Sequence, residues 1–193
     1  MKRREFLSTS LQGSLAASIS MLFPAGLLAS ELPADITELT ASKLSAAIRD
    51  RQVSCLEVMQ AYLQRIERYN PVYNAIVNLA EQDSLLGQAR RADTALDKGK
   101  YWGWMHGMPH AVKDLANVEG MITTSGSRIF ANRVATADSS LVADIRKQGA
   151  IFIGKTNTPE FGLGSQTYNE VFGATGSAWN PALTAGGSSG GAA

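Results

Sequence analysis

Two short apolar runs, PHAVKDL from Pro109 and AIFIGKT from Ala150, do most to restrict the fold. Each is bounded by turn signals and is too short for an independent helix, so both are expected as buried strands. Helical patterns stand around them. ITELTASKLSAAIRD places Leu39, Leu44, Ala47 and Ile48 at helical spacing. SCLEVMQAYLQRIERYNP opens on a capping box, Ser54 with Glu57, carries Leu56, Met59, Leu63 and Ile66 on one face, and is expected to stop at Asn70-Pro71. AEQDSLLGQARRADTALDKGK predicts a third helix ending near Gly99, and SSLVADIRKQGA a fourth, capped by Asp138 or Ser139 and stopped by Gly149. Helices alternating with strands, without any repeat, predict an α/β domain.

Composition narrows the chemistry. With 45% hydrophobic and 18% charged residues over 193 positions, the chain is globular and long enough for a core. Removing the 3 basic and 1 acidic side chains of the first thirty residues from totals of 18 and 17 leaves 15 basic against 16 acidic, so nothing favours nucleic acid as a partner. Cys55 is the single cysteine, which excludes an internal disulfide and a CxxC site, and it is read as a small packed residue. Two histidines, His106 and His110, offer no convincing metal set, and no cofactor is implied. Trp102 and Trp104, close to the first strand, read as packing residues rather than a ligand platform.

The first thirty residues form an address. A basic start, Lys2-Arg3-Arg4, precedes an uncharged stretch from Phe6 to Ser30 that Gly13, Pro24 and Gly26 interrupt. Arg3-Arg4-Glu5-Phe6-Leu7 resembles a twin-arginine signal, which implies the twin-arginine export machinery as a partner and a periplasmic or secreted protein in a bacterium. An ordinary secretory signal and an uncleaved anchor are the alternatives; with cleavage, no stable membrane anchor is expected.

Two segments carry candidate chemistry. Lys113 ends an apolar strand, where desolvation lowers an amine's pKa and prepares it as a general base; the competing reading pairs it with Asp114 or another surface carboxylate. In GGSSGG, Gly186, Gly187, Gly190 and Gly191 permit backbone approaches that a side chain forbids, leaving Ser188 and Ser189 on a tight loop. No lysine comes after it as in a P-loop, and the spacing is not GxGxxG, so a nucleotide cradle is set aside.

Gly107-x-Pro109-x-x-x-Lys113-Asp114, GKTNTPEFGLGS from Gly154 and NPALTAGGSSGGAA from Asn180 occur in this order, and together they closely resemble the amidase signature family. The resemblance runs from about Leu39 to the last residue, so residues 31–193 are read as the N-terminal part of such a domain. It implies a mixed central β-sheet flanked by helices and hydrolysis of a small-molecule carboxylic amide by a Ser-cisSer-Lys triad. Carried over by motif, Lys113 is the general base and Ser188 the bridging serine, with a cis peptide bond between Gly187 and Ser188. Gly187, Ser189 and Asp114 are expected in supporting roles. The family's nucleophile ends an Asp-x-Gly-Gly-Ser segment downstream, which does not occur before Ala193. The resemblance therefore implies a longer amidase, with these 193 residues inactive alone. Three alternatives stand beside it: an idle remnant or pseudoenzyme, a signal-anchored binding module whose glycine loop holds a carboxylate or amide, and the glutamine-hydrolysing subunit of a tRNA-dependent amidotransferase, against which the export signal argues.

Overall fold

The computed structural model describes residues 32–192, so the export signal expected over 1–30 lies outside the described residues. The chain runs α1 (Ala41–Arg49), α2 (Cys55–Tyr73), β1 (Ile76–Val77), α3 (Gln82–Asp97), β2 (Pro109–Lys113), α4 (Ser140–Lys147), β3 (Ile151–Thr156), and a small hairpin of β4 (Tyr168–Asn169) and β5 (Gly173–Ala174). β3 is the centre of a three-stranded sheet, parallel to β2 on one side and antiparallel to β1 on the other. The expected mixed sheet flanked by helices is present. Both expected strands are there, and β3 is buried along its whole length because it is paired on both edges and covered on both faces.

The pairing of β2 with β3 is not regular. His110 stands beside Phe152 and Ala111 beside Gly154, so Ile153 is an extra residue that forms a bulge. Beyond it, Val112 stands beside Lys155 and Lys113 beside Thr156. α4 covers the face that bears Val112 and Phe152, where Val118, Val142 and Ile145 complete a cluster. α2 faces Pro109 and Ala111 across an apolar groove.

Local sequence explains most element ends. The Ser54–Glu57 capping box forms as expected, with Glu57 N donating to Ser54 Oγ at 3.1 Å and Ser54 N to Glu57 Oε2 at 2.8 Å. Of the expected stripe of α2, Met59 and Leu63 are buried while Leu56 and Ile66 are only half-buried, and Cys55 and Val58 complete the inner face instead. Cys55 is a packing residue: its Sγ donates to the His106 carbonyl and abuts Gly107, whose φ of 71° leaves no room for a side chain. α3 closes at Lys98 before Gly99, and α4 starts after Ser139 and stops before Gly149. Trp102 and Trp104 remain about half exposed, Trp102 resting on the His106 ring at 4.7 Å.

Two expectations need correction. The pattern beginning at Ile36 is not one helix: Ile36–Glu38 forms a 3-10 turn, Leu39 is extended, and α1 starts after Thr40, whose hydroxyl caps Lys43 N. Nor does Asn70-Pro71 stop α2, which continues to Tyr73 and ends where Asn74 turns left-handed at φ 48°. Pro71 removes one bond, the one its N–H would have made to the Glu67 carbonyl, and only two helical residues follow it. Asn70 secures the start of β1, its Oδ1 accepting from Ala75 N and Ile76 N and its Nδ2 donating to the Ile76 carbonyl.

Candidate active site

Lys113 is the last residue of β2, and it leaves the sheet on the face that GGSSGG approaches. Its Nζ donates to Ser188 Oγ at 2.8 Å and to Ser189 Oγ at 3.0 Å. Burial holds this amine below its ordinary 10.5. Among the described residues Lys113 makes no ion pair, so the surface pair with Asp114 or another carboxylate is not found. Ser188 is half-buried and Ser189 exposed.

The peptide bond between Gly187 and Ser188 is cis. The glycines on either side are required by close approach. A Cβ on Gly187 would stand 2.5 Å from the Gly164 carbonyl oxygen and 2.7 Å from Ser165 C. One on Gly190 would meet the Thr167 side chain, and one on Gly191 would strike Asn157 N and lie 2.6 Å from the Ala75 carbonyl oxygen. Gly186 alone among the four has open space around it.

A set of buried polar residues holds this loop from behind. Gly187 N donates to the Ser165 carbonyl at 2.8 Å, Gly190 N to Thr167 Oγ1 at 3.0 Å, and Thr167 Oγ1 to the Gly186 carbonyl at 2.9 Å. Thr158 Oγ1 donates to the Ser188 carbonyl at 3.4 Å. Asn157, without solvent exposure, ties the layer together: its Nδ2 donates to Thr175 Oγ1 at 2.9 Å and its Oδ1 accepts from Asn169 Nδ2 at 2.7 Å. Every hydrogen-bonding atom of the Asn157 side chain is occupied, which fixes its orientation.

Asp114 takes a different position from its neighbour. It lies one residue past Lys113, so its carboxylate enters the opposite side, where it is fully buried and accepts from Thr124 N and Thr124 Oγ1. Burial pushes this carboxyl up, and the Thr124 donors work against that. Lys155 shares the interior, also without exposure; burial lowers its amine to about 8, opposed by the Asp114 charge.

The structure thus brings together Lys113, Gly187, Ser188 and Ser189, and sends Asp114 to the far face. Lys155, Asn157 and Thr158 lie within GKTNTPEFGLGS, one of the motifs that carry the resemblance, but neither they nor Thr167 are given a role from the sequence. Lys155 has a legible signal, because a lysine inside the apolar run AIFIGKT invites the same desolvation argument as Lys113. Asn157 and Thr158 are marked only by their place in that motif, and Thr167 has no signal, since a polar residue in a loop-forming stretch reads as solvated.

The family model described as Amidase matches residues 57–193. A glutamyl-tRNA(Gln) amidotransferase subunit from Acidothermus cellulolyticus is 40% identical over 159 residues, covering 82% of this chain and 31% of that protein. Its counterpart in Coxiella burnetii is 38% identical over 154 residues, 80% of this chain and 32% of the relative. The chain therefore spans about a third of the length of these curated relatives. Among solved structures, a fatty acid amide hydrolase superposes with a TM-score of 0.75 at 28% identity, over 80% of this chain and 27% of that one. A bacterial aryl acylamidase described as an amidase signature enzyme gives 0.75 at 29%, over 80% and 32%. The family model spans well over half of these residues and the mixed sheet superposes on solved members of that family, so the chain belongs to the amidase signature family.

Proposed function

We propose that this chain supplies the base and the bridging serine of an enzyme that hydrolyses a carboxylic amide to an acid and ammonia or an amine. The nucleophilic serine comes from residues beyond these 193. The observation that carries the reading is the 2.8 Å contact between Lys113 Nζ and Ser188 Oγ.

Lys113 works in its neutral form. With the amine unprotonated, the Ser188 hydroxyl donates to Nζ across the same 2.8 Å and can in turn accept the nucleophile's proton. The path then runs in reverse to protonate the departing nitrogen. Partial burial of Lys113 supports this by favouring the neutral amine. Ser189, within 3.0 Å of the same nitrogen, steadies the amine, and Gly187 admits the close approach that sets Ser188 in place. Steady-state hydrolysis of simple aryl and alkyl amides by the complete protein, with and without Lys113→Ala, tests the reading. Near-normal turnover in the variant would remove lysine from the mechanism.

The sequence relatives favour a second reading, a glutamine-hydrolysing amidotransferase subunit, which the similarity to two amidotransferase subunits supports. The first thirty residues weigh against it, because their basic start and uncharged stretch fit twin-arginine export and a periplasmic or secreted location. A fusion of residues 1–30 to a folded reporter separates the two. Export that Arg3→Lys with Arg4→Lys blocks favours the exported amidase, and retention in the cytoplasm favours the amidotransferase subunit.

A further inference from the structure

β2 and β3 each carry one lysine, and the Ile153 bulge decides where the two go. Continued without interruption from the pairing of Pro109 with Ile151, the register would set Lys113 beside Lys155. The extra residue sets Lys113 beside Thr156 and Lys155 beside Val112 instead. Partners on parallel strands share a face and successive residues alternate, so the two amines leave opposite sides of the sheet. Lys113 meets the serines, and Lys155 enters the interior with Asp114.

We propose that Lys155 and Asp114 act as a positioning pair for Lys113, gripping from the far face both ends of the 114–126 excursion and so keeping Lys113 Nζ within reach of Ser188. This rests on the reading of Lys113 and Ser188 as a proton-transfer pair.

The contacts form a continuous path. Lys155 Nζ donates to the Ala116 carbonyl, two residues past Asp114, and to Thr123 Oγ1 at 2.8 Å, on the returning limb. Asp114 holds the next residue of that limb through Thr124 N, 3.2 Å from each carboxylate oxygen, and Gly126 N donates to Thr124 Oγ1 at 2.9 Å. Asp114 N donates to the Thr156 carbonyl at 3.0 Å, which extends the ladder one residue past Lys113. The returning limb then grips the segment behind Ser188: Phe161 N donates to the Ser125 carbonyl at 2.7 Å, and Thr158 of that segment binds the Ser188 carbonyl. Both partners of the Lys113–Ser188 contact are therefore anchored to one buried cluster.

A wholly buried ammonium needs an opposing charge and full hydrogen bonding to be tolerated. Asp114 supplies the charge, and Arg133 and Asp138 are the other ionised groups whose fields reach Lys155. An apolar residue would fill the volume of Lys155 without tying the two limbs together. The functional reading and a purely packing one therefore separate in experiment.

The test is the pH profile of Lys113 acylation by an N-hydroxysuccinimide ester in the complete protein, read by mass spectrometry with exposed Lys100 as internal reference. In Lys155→Met the Lys113 midpoint is expected to rise by about one pH unit, equivalent to about tenfold slower labelling near pH 8. Thr123→Val, which removes one acceptor and leaves the charges in place, is expected to move it in the same direction by less. Protection of Cys55 from thiol reagents reports that each variant is folded. An unshifted Lys113 profile in a folded Lys155→Met protein overturns the proposal; if that variant exposes Cys55, an unshifted Thr123→Val profile does so. Labelling does not measure hydrolysis. A protein in which Lys113→Ala leaves turnover intact sinks the proposed function and leaves this result readable.

Discussion

Lys113 and Ser188 are 75 residues apart in sequence, and the lysine Nζ donates to the serine Oγ at 2.8 Å. The lysine is fixed by a strand end and the serine by a glycine loop, so each can be altered without rebuilding the other. Lys113→Ala in the complete protein is expected to lower kcat for an amide substrate by about 10²–10⁴-fold or more while leaving the melting temperature within a few degrees. Comparable turnover in the variant would count against a catalytic lysine.

The two serines should separate. Ser188 is half-buried and closer to the amine, whereas Ser189 is exposed at 3.0 Å. Ser188→Ala is expected to cost about 10²-fold or more in kcat, and Ser189→Ala about tenfold or less. Equal losses would show that the amine uses both hydroxyls alike.

Among the glycines, stability should track the space available to a Cβ. Gly191→Ala drives a methyl group onto Asn157 N and the Ala75 carbonyl and is expected to destabilise by about 1–3 kcal/mol. Gly186→Ala meets nothing within 4 Å and should stay within about 0.5 kcal/mol. Urea midpoints of the two variants check this; equal effects would mean that the loop can shift as a unit.

Lys155 predicts a pH trend with a definite sign. The unfolded residue keeps its proton up to 10.5 and the folded one only to about 8. Between those values the unfolded chain binds more protons, so this group makes the native state gain stability as pH rises. In Lys155→Met that gain should vanish from the difference between urea midpoints measured at about pH 7.5 and about pH 9.5. An unchanged difference would assign the trend to other groups.

Much of this arrangement is legible in the sequence, for identifiable reasons. The Ser54–Glu57 box, the stripe of α2 and the two long strands are local patterns with enough residues to show a period. β1, β4 and β5 have two residues each and no period to read. The end of α2 is misleading in the sequence because Pro71 signals a stop, and only the tertiary use of the Asn70 side chain reveals why the helix runs on. At the site, Lys113 and GGSSGG can be picked out by motif. The bulge at Ile153 cannot, since it depends on how two strands far apart in sequence meet, and with it is hidden which face of the sheet Lys155 takes.

The Asn157 layer also sets the order in which this region can assemble. Its links reach from Thr175 to the Asn74 carbonyl at the end of α2, 101 positions away, and through Asn169 into the hairpin. Contacts of such long sequence separation form late, after the entropy of closing large loops has been overcome. Helix α2, whose capping box and inner stripe are local, can gather early and offer Asn74 as a dock. The glycine loop, held by Thr158 and Thr167 from segments distant in sequence, takes its shape from this whole layer, and the lysine–serine pair depends on it in turn.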